Sequence, residues 1–457
     1  MSCCIVIQWM KRTKTKPMKN LKIKIVLLVL LSSSIVIAQQ TPAAKQTKDI
    51  AITGATAHIG NGTVIENSII VISNGKITTI GNADTTPVTL QTMEVIDAKG
   101  KHVYPGFIAT NASLGLVEVN AVRASDDKSE IGGMIPNVRS QIAYNAESKV
   151  VESMRPNGVL IAQVAPGGGR ISGKSSIMQL DGWNWEDATL KADDGIHLNW
   201  PSSFSRGRWW LGEPSGLKPN SDYDKQVKEV SDFVAQSKAY LNGDRTVNNL
   251  IYAAMEGLFN GSQNLYIHVD DEKGITDAVN FAKTNCIMKM AIIGGYHAHK
   301  VADLLKNNNV SVLISETHSL PSLEDDDYDL PYKNPKLLVD AGVLVGIQNG
   351  GRSNFQTRNL PFLAGQVVGQ GLDKEEALKL ITSNTAKILG VDQQLGTLEV
   401  GKDATLFISE GDALDMRTNK LTHAFISGRA ISLETHQTEL WHRYENKYKA
   451  QNIYKED

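Results

Sequence analysis

The sequence predicts an α/β protein in which a barrel of parallel strands fills the middle of the chain and β-rich segments lie at both ends. Between Val103 and Val391, short apolar runs alternate with longer stretches of helical periodicity, which is the pattern of parallel βα units. Before and after this region, short apolar runs are separated by Asn-Gly or Gly-rich turns, as in hairpins. The 457 residues are enough for one large barrel with an appended sheet domain.

The composition excludes some classes of function. Charged residues make up 21% of the chain and the formal net charge is −2, so no basic surface for nucleic acid or for an anionic membrane is expected. Cys3 and Cys4 precede the predicted mature start, which leaves Cys286 alone. Disulfides are therefore expected to play no part in the fold.

Residues 1–38 have the pattern of a secretory signal peptide. Lys19, Lys22 and Lys24 precede the apolar run Ile25–Ile37, and the small residue Ala38 follows it. The run is shorter than a transmembrane helix needs, so we expect cleavage near Ala38 and no integral membrane span afterwards. An uncleaved anchor is the alternative. The mature protein is expected to be periplasmic or secreted.

Two β-rich segments flank the barrel region. A polar leader, residues 39–48, precedes the first segment, residues 49–105, in which Asn61-Gly62 and Asn74-Gly75 separate alternating apolar runs. Asn-Gly between such runs is the strongest short-range hairpin signal. The second segment, residues 392–435, contains the runs LGTLEVGKDATLFI and HAFISGRAI, and residues 436–457 form a C-terminal tail.

The middle of the chain, Gly106 to about Val391, supplies the barrel. Candidate strands are Val103–Ala109, Gly158–Val164, Leu265–Val269, Met290–Ile293, Val310–Ile314 and Val343–Ile347. Candidate helices are Gln226–Tyr240, Val247–Asn260, Ile275–Thr284, Ala298–Asn307 and Lys374–Leu389. These strands are too few for a closed barrel, so the others are expected within Ile171–Tyr223, together with an inserted hairpin.

Two motifs resemble a known family. The run VYPGFI, Val103–Ile108, resembles the first barrel strand of the amidohydrolase superfamily, especially its imidazolonepropionase-like branch, and Gly396–Ala404 matches the family's G-x-L-x-x-G-K-x-A turn. The resemblance implies a TIM-like (β/α)8 barrel with a β-sandwich domain built from both termini. It also implies a hydrolase of non-peptide or cyclic amide carbon–nitrogen bonds that uses a divalent metal.

The family's metal-binding pattern is incomplete in this chain. The family has a His-x-His pair after the first strand, where this chain has Ala109–Ser113, and an aspartate after the eighth, where it has Gln348, Asn349 and Gly350. Catalytic zinc normally needs three protein ligands, so we expect no metal or a single zinc-like divalent ion.

The alternative function is a catalytically inactive paralogue that binds an amide-like ligand. Pairing with an active amidohydrolase is the other role of such a paralogue, and the expected assembly of the protein is a homo-oligomer or a heteromer with an active paralogue.

Three histidines and one amide remain as candidate site residues. His268 ends a predicted strand where the family has a metal ligand, so it is a candidate metal ligand or general base. His297 and His299 imitate a His-x-His pair and are candidate replacement ligands, and Asn349 is the second candidate catalytic residue. The alternatives are a hydrogen-bonded polar residue for His268 and a solvated helix start for the pair, since positions i and i+2 do not share a helix face.

Residues 168–175, GGRISGKS, fit the phosphate-binding pattern G-x-x-x-x-G-K-[ST]. Phosphate binding requires a helix to begin at Lys174, whereas the residues that follow alternate like a strand and reach Asp181-Gly182. The pattern therefore predicts a hairpin and no nucleotide cofactor, and the resemblance to the amidohydrolase superfamily implies that this hairpin lies over the active-site mouth.

Overall fold

A computed structural model describes residues 41–207, 209–212, 216–315, 317–348 and 354–451. The predicted signal peptide, the candidate residue Asn349 and residues 452–457 of the tail lie outside the described residues. Within the described part of the chain, no helix combines the length and the apolar character needed to cross a membrane.

The strands are β1 (Ile50–His58), β2 (Val64–Ser73), β3 (Lys76–Asn82), β4 (Glu94–Asp97), β5 (His102–Pro105), β6 (Phe107–Ala112), β7 (Val159–Val164), β8 (Ile171–Gln179), β9 (Thr189–Asn199), β10 (Phe204–Arg206), β11 (Leu217–Pro219), β12 (Asn264–Val269), β13 (Met290–Gly294), β14 (Ser311–Ile314), β15 (Val345–Ile347), β16 (Leu406–Ser409), β17 (Leu421–Ile426) and β18 (Arg429–Ala430). The α-helices are α1 (Lys149–Glu152), α2 (Trp185–Ala188), α3 (Tyr223–Asn242), α4 (Leu250–Ala253), α5 (Glu256–Asn260), α6 (Glu272–Thr284), α7 (Ala302–Asn307), α8 (Leu330–Asp340), α9 (Leu360–Val368), α10 (Lys374–Lys379), α11 (Ser383–Leu389) and α12 (His436–Ala450). Short 3₁₀ helices cover Arg123–Ser125, Ser140–Ala143, Arg155–Asn157, Trp209–Leu211, Ala298–Val301 and Asn354–Asn359.

Strands from both ends of the chain form one sheet, called here the terminal sheet. Its order is β18-β17-β16-β5-β1-β2-β3, and β4 also pairs with β1. The hairpin between β2 and β3 turns at Asn74-Gly75, where both residues have positive φ, as a tight hairpin turn requires. Because β16 pairs antiparallel with β5, the two ends meet, and the sheet buries its own apolar cluster around Ile52, Ile70 and Leu406. The predicted domain built from both termini is confirmed.

The leader is attached to both domains. Residues 41–48 contain neither helix nor strand. The backbone amide of Ala43 donates to Asp181 Oδ2 at 3.1 Å. The side-chain amide of Gln46 donates to the carbonyl of Ile72 at 2.8 Å and accepts from the amide of Gly75 at 2.8 Å.

The second sheet is the barrel, in the order β6-β7-β8-β9-β12-β13-β14-β15. Neighbouring strands are parallel except β8, which runs antiparallel to β7 and to β9. The two strands that were not among the candidate strands are therefore β8 and β9, and the connection between them contains Asp181-Gly182 and helix α2. The TIM-like barrel is confirmed, and Gly168–Ser175 leads into strand β8 and not into a helix.

Two backbone hydrogen bonds close the barrel between β6 and β15. Within the described residues, each of these outer strands pairs with one neighbouring strand only. The amide of Ile347 donates to the carbonyl of Leu380 at 3.0 Å, and the amide of Ile108 donates to the carbonyl of Ile381 at 2.9 Å. The single predicted helix Lys374–Leu389 is divided into α10 and α11 because the carbonyls between them face the barrel edges.

The barrel interior has an apolar floor beneath a polar layer. The floor contains Ile108, Ile161, Ile177 and Leu313, all buried and packed on residues of α11. In a strand, side chains two positions apart share a face, so the next inward positions toward the C-terminal ends of the parallel strands include Thr110, Gln163, Ser175 and Ser315. We call the inward-facing polar residues at this level the polar layer: Thr110, Gln163, Ser175, Asp194, His197, His268, Ser315 and Gln348.

Helix α6 fixes the chain after β12. The side chain of Asp271 accepts a hydrogen bond from the amide of Gly274 at 2.9 Å, which is an N-cap contact. The helix buries Ile275, Ala278 and Ala282, at the spacing of one helical face. Asp271, which follows the strand that contains His268, is therefore a helix cap.

Candidate functional site

The polar layer lies at the C-terminal ends of the parallel strands, where enzymes with this architecture place their active sites. Thr110, Gln163, Ser175 and His197 are each at most 1% exposed, and Gln348 is 2% exposed. Buried polar groups are costly unless they are hydrogen-bonded. The bonds within the layer therefore indicate how it is organised.

Asp194 is the centre of the layer on the β7, β8 and β9 side. It is fully buried. Ser175 Oγ donates to Asp194 Oδ1 at 2.6 Å, and Asp194 Oδ2 accepts from the Tyr266 hydroxyl at 2.7 Å and from Gln163 Nε2 at 2.9 Å. Burial raises the pKa of the Asp194 carboxyl, and these three hydrogen bonds act in the opposite direction.

His197 and His268 form a pair of hydrogen-bonded imidazoles. His197 Nδ1 lies 2.9 Å from His268 Nε2, and the His197 ring stacks on Tyr266 with the ring centres 4.9 Å apart. Burial, together with the neighbouring His268, lowers the pKa of His197 well below its ordinary value. Burial lowers the pKa of His268 to about 4. Both rings are therefore neutral at pH 7, and one of them donates its proton to the other.

Two buried atoms of the layer have no hydrogen-bond partner among the described residues: His197 Nε2 and Thr110 Oγ1. Unpaired buried polar atoms are rare in folded proteins and cost free energy. Both belong to side chains that face the barrel interior, so they are available to a ligand or to water.

Amide side chains occupy the layer next to β6 and β15. The backbone amide of Asn111 donates to Gln163 Oε1 at 3.1 Å, and the side-chain Nδ2 of Asn111 donates to Gln348 Oε1 at 3.4 Å. Gln348 Nε2 in turn donates to Ser315 Oγ at 2.9 Å. Asn111 has a φ of +50°, a left-handed conformation that asparagine tolerates better than most residues. Where the resemblance implies a metal-binding pair, this chain has a network of amides.

The structure places His297 and His299 in a different contact. His297 Nε2 lies 3.4 Å from Asp326 Oδ1, and the hydroxyl of Tyr296 donates to Asp326 Oδ2 at 2.9 Å. The rings of His297 and His299 are 6.3 Å apart between centres, and among the described residues no hydrogen bond or ring contact joins either of them to His268. The structure thus brings His268 together with His197, whereas His297 contacts Asp326, which lies in the acidic segment Glu324–Asp329.

The described side chains do not fit a divalent metal of the kind the resemblance implies. Within the described residues, no group of three or more His, Cys, Asp or Glu side chains is arranged to hold a metal ion. The imidazole pair leaves at most two nitrogens for a metal, His197 Nε2 and His268 Nδ1, because the other two ring nitrogens are hydrogen-bonded to each other. A catalytic zinc site normally has three protein ligands, so the residues present fall short of that number.

Sequence reasoning located His268 at a strand end but missed His197, Asp194 and Tyr266. Tyr266 lies in the same predicted strand as His268 and faces the same side two residues earlier. The signal for β9 was the run GIHLNW after two aspartates. It was hidden because β8 and β9 are antiparallel, so the connection before β9 contains only the four-residue helix α2 and not the longer crossover helix of a βα unit.

Comparison with known proteins finds a family match for part of the chain. Residues 220–431 match the model of the amidohydrolase family. A segment of 120 residues, 24% of this chain, is 36% identical to the amidohydrolase tasK of Hapsidospora irregularis, and it spans 12% of the length of that protein. The 5'-deoxyadenosine deaminase of Methanobrevibacter smithii is 22% identical over 387 residues, which are 76% of this chain and 80% of that protein.

The fold also matches a solved structure. The amidohydrolase from Thermotoga maritima superposes with a TM-score of 0.73 at 20% sequence identity, covering 84% of this chain and 99% of that one. The finer resemblance to the imidazolonepropionase-like branch stays a prediction. Residues 220–431 thus match the amidohydrolase family, and the eight-stranded barrel with its terminal sheet has the fold of the amidohydrolase from Thermotoga maritima.

Proposed function

We propose that the protein hydrolyses a carbon–nitrogen bond, other than an ordinary peptide bond, in a small polar molecule bound at the polar layer. The observation that supports this most directly is the contact between His197 and His268 at the C-terminal ends of β9 and β12. The class of reaction is supported by the family match and by a relative that is named a deaminase, because deamination is the hydrolysis of a carbon–nitrogen bond.

His268 is the proposed general base. Its Nε2 is hydrogen-bonded to His197 Nδ1, and its Nδ1 has no hydrogen-bond partner among the described residues. A neutral imidazole accepts a proton from water as the water attacks the carbon of the scissile bond, and the same imidazole then donates this proton to the leaving nitrogen. The unpaired hydroxyl of Thr110 offers a neutral hydrogen-bonding group to the substrate, which suits an uncharged amide better than a carboxylate or a phosphate.

Turnover with and without His268 tests this proposal. The purified protein, dialysed against a chelator, is incubated with cyclic amides, N-acyl amines and aminopurine nucleosides, and the release of ammonia or amine is measured. His268→Asn is expected to reduce release by about 100-fold or more, while His299→Asn, outside the polar layer, leaves it unchanged. Absence of release from the unaltered protein for every compound, or equal rates with and without His268, would contradict the proposal.

A second candidate function is ligand binding without turnover, alone or beside an active family member. It is favoured by the poor fit of the described side chains to a divalent metal. In this case the protein, loaded with zinc or manganese and then dialysed, retains far less than one equivalent of metal, and it binds amides without releasing ammonia. Stoichiometric retention of metal that His268→Ala abolishes would exclude this candidate. Co-purification of an active amidohydrolase would support a heteromeric pair.

We further propose that the chain is exported. The basic residues and apolar run between Lys19 and Ala38 support this. N-terminal sequencing of the protein from a cell envelope fraction is expected to begin near Gln39, and an intact N-terminus in that fraction would contradict cleavage.

A further inference from the structure

The strongest unexplained feature of the barrel interior is the fully buried carboxylate beneath the imidazole pair. We infer that Asp194 is a positioning residue that acts through Tyr266 and His197 to fix the orientation of His268. This inference rests on the proposed function for its catalytic meaning, and it also predicts a change in the histidine rings that is measurable without turnover.

Asp194 occupies a position that packing alone does not explain. A buried carboxylate is costly unless its oxygens are hydrogen-bonded, and here three donors from three different strands converge on it: Ser175, Gln163 and Tyr266. Directly beneath this level the barrel is filled by aliphatic side chains such as Ile161 and Ile177. Those side chains show that the interior can be closed without a charge.

Tyr266 is held on more than one side. Its hydroxyl donates to Asp194 Oδ2 at 2.7 Å and accepts from Asn264 Nδ2 at 3.0 Å. Its ring lies so close to the backbone of Gly195 that an added Cβ there would be 2.3 Å from a ring carbon, a distance that real Cβ atoms do not show. The absence of a side chain at residue 195 therefore allows Tyr266 to lie between β9 and its own strand.

The ring of Tyr266 in turn fixes His197. The two rings stack with an angle of 30° between their planes, and the bond from His197 Nδ1 to His268 Nε2 lies at 2.9 Å. Rotation of His197 away from Tyr266 would break this bond, which is the hydrogen bond that His197 makes among the described residues. Asp194 thus fixes which nitrogen of His268 is hydrogen-bonded to His197 and which nitrogen remains available to a ligand.

A double-mutant cycle separates this role from a merely structural one. Asp194→Asn and Tyr266→Phe are each expected to lower kcat by about 10- to 100-fold, in the range of outer-shell substitutions, with KM changed by less than about twofold. If Asp194 acts through the Tyr266 hydroxyl, the double variant is no slower than the slower single variant. Multiplicative losses in the double variant would overturn the inference.

Asp193→Asn is the matched control. Asp193 adjoins Asp194 but pairs with Arg139 at 2.8 Å, and its φ of +52° suits asparagine. This variant is expected to keep kcat and KM unchanged. An equal loss in the control would show that any change in this part of β9 is harmful, which would also overturn the inference.

NMR of the histidine ring nitrogens distinguishes failure of the inference from failure of the proposed function. Asp194→Asn is expected to change the tautomer signature of His268, while Asp193→Asn leaves it unchanged. If the unaltered protein shows no turnover but the signature changes, the positioning role stands and the hydrolase proposal fails. If Asp194→Asn does not fold, Tyr266→Phe provides the same readout, and an unchanged signature in a folded variant overturns the inference.

Discussion

Arg429 Nη1 donates to Asp181 Oδ2 at 2.7 Å, and this contact joins the terminal sheet to the barrel. Arg429 Nη2 also donates to the carbonyl of Asp181 at 2.8 Å and to Gln179 Oε1 at 3.2 Å. Arg155 approaches Asp181 Oδ1 at 3.6 Å, and the side chain of Asp181 is 4% exposed. A carboxylate shared by two guanidinium groups thus links β18 to the turn that follows β8.

Asp181→Asn is expected to destabilise the protein strongly. Removing one partner of a buried ion pair leaves the opposite charge without compensation and costs about 3–5 kcal/mol. Urea unfolding followed by tryptophan fluorescence measures the loss in the free energy of unfolding. The matched control is Asp232→Asn, because Asp232 pairs with Lys228 on an exposed helix face and such a pair contributes about 0.5 kcal/mol or less. Equal losses in the two variants would contradict the expectation.

Gly195→Ala is expected to disturb the candidate site directly. The added Cβ would lie 2.3 Å from the ring of Tyr266 and 2.7 Å from the carbonyl of Asn264, so the ring must move, at a cost of about 1–3 kcal/mol. The expected results are a lower unfolding midpoint and a changed NMR signature of His197. Gly133→Ala is the control, because a Cβ at residue 133 would meet no atom within 4 Å. The expectation is wrong if both variants unfold at the midpoint of the unaltered protein.

The pH dependence of stability is expected to include a contribution from His268. Its pKa is lowered from 6.5 to about 4 in the folded protein, so the unfolded chain binds more protons between these values. The folded state therefore loses stability as pH falls from 6.5 toward 4, by about 3 kcal/mol at most, and is unaffected at higher pH. Measured on metal-free protein, the unfolding free energy of His268→Asn should fall less steeply in this window. Parallel curves for the two proteins would show that His268 is not the cause.

A second contact between the two domains is expected to be sensitive to a single carboxylate. His58 Nδ1 lies 2.7 Å from Glu375 Oε1 of α10, and His58 Nε2 lies 3.0 Å from His102 Nδ1. Glu375→Gln replaces a carboxylate acceptor by a neutral amide in this partly buried contact and is expected to cost about 1–3 kcal/mol. Glu376→Gln is the neighbouring control, since Glu376 pairs with Lys379 and is 41% exposed. Thermal unfolding of both variants tests the difference.

The sequence allowed the fold to be predicted more fully than the site. The apolar runs at Val159–Val164 and Leu265–Val269 were visible because parallel barrel strands are buried on both faces. His268 was found because it ends such a run. His197 was missed because its strand follows an antiparallel hairpin, which the regular alternation of strand and helix does not anticipate. The pairing of His268 with His197 depends on strand order, which residue periodicity does not specify.

The predicted pairing of His297 with His299 shows a second limit of prediction from the sequence. The spacing of the two residues resembles a known motif, but β13 ends at Gly294, three residues before His297. Beyond that point the chain enters a 3₁₀ helix, where alternate side chains diverge, and the loop containing Asp326 supplies the partner of His297. That partner is 29 positions away in the chain, so local spacing contains no information about it.

The closure of the barrel by Leu380 and Ile381 has a consequence for its motions. Elsewhere in the wall, adjacent strands are joined by ladders of several hydrogen bonds, whereas here one bond from each outer strand reaches a two-residue connection between short helices. The barrel can therefore open between β6 and β15 when these two hydrogen bonds break, while the hydrogen bonds between all paired strands stay intact. Deuterium is accordingly expected to enter first at the amides of Ile108 and Ile347, long before it reaches the strands on the opposite side.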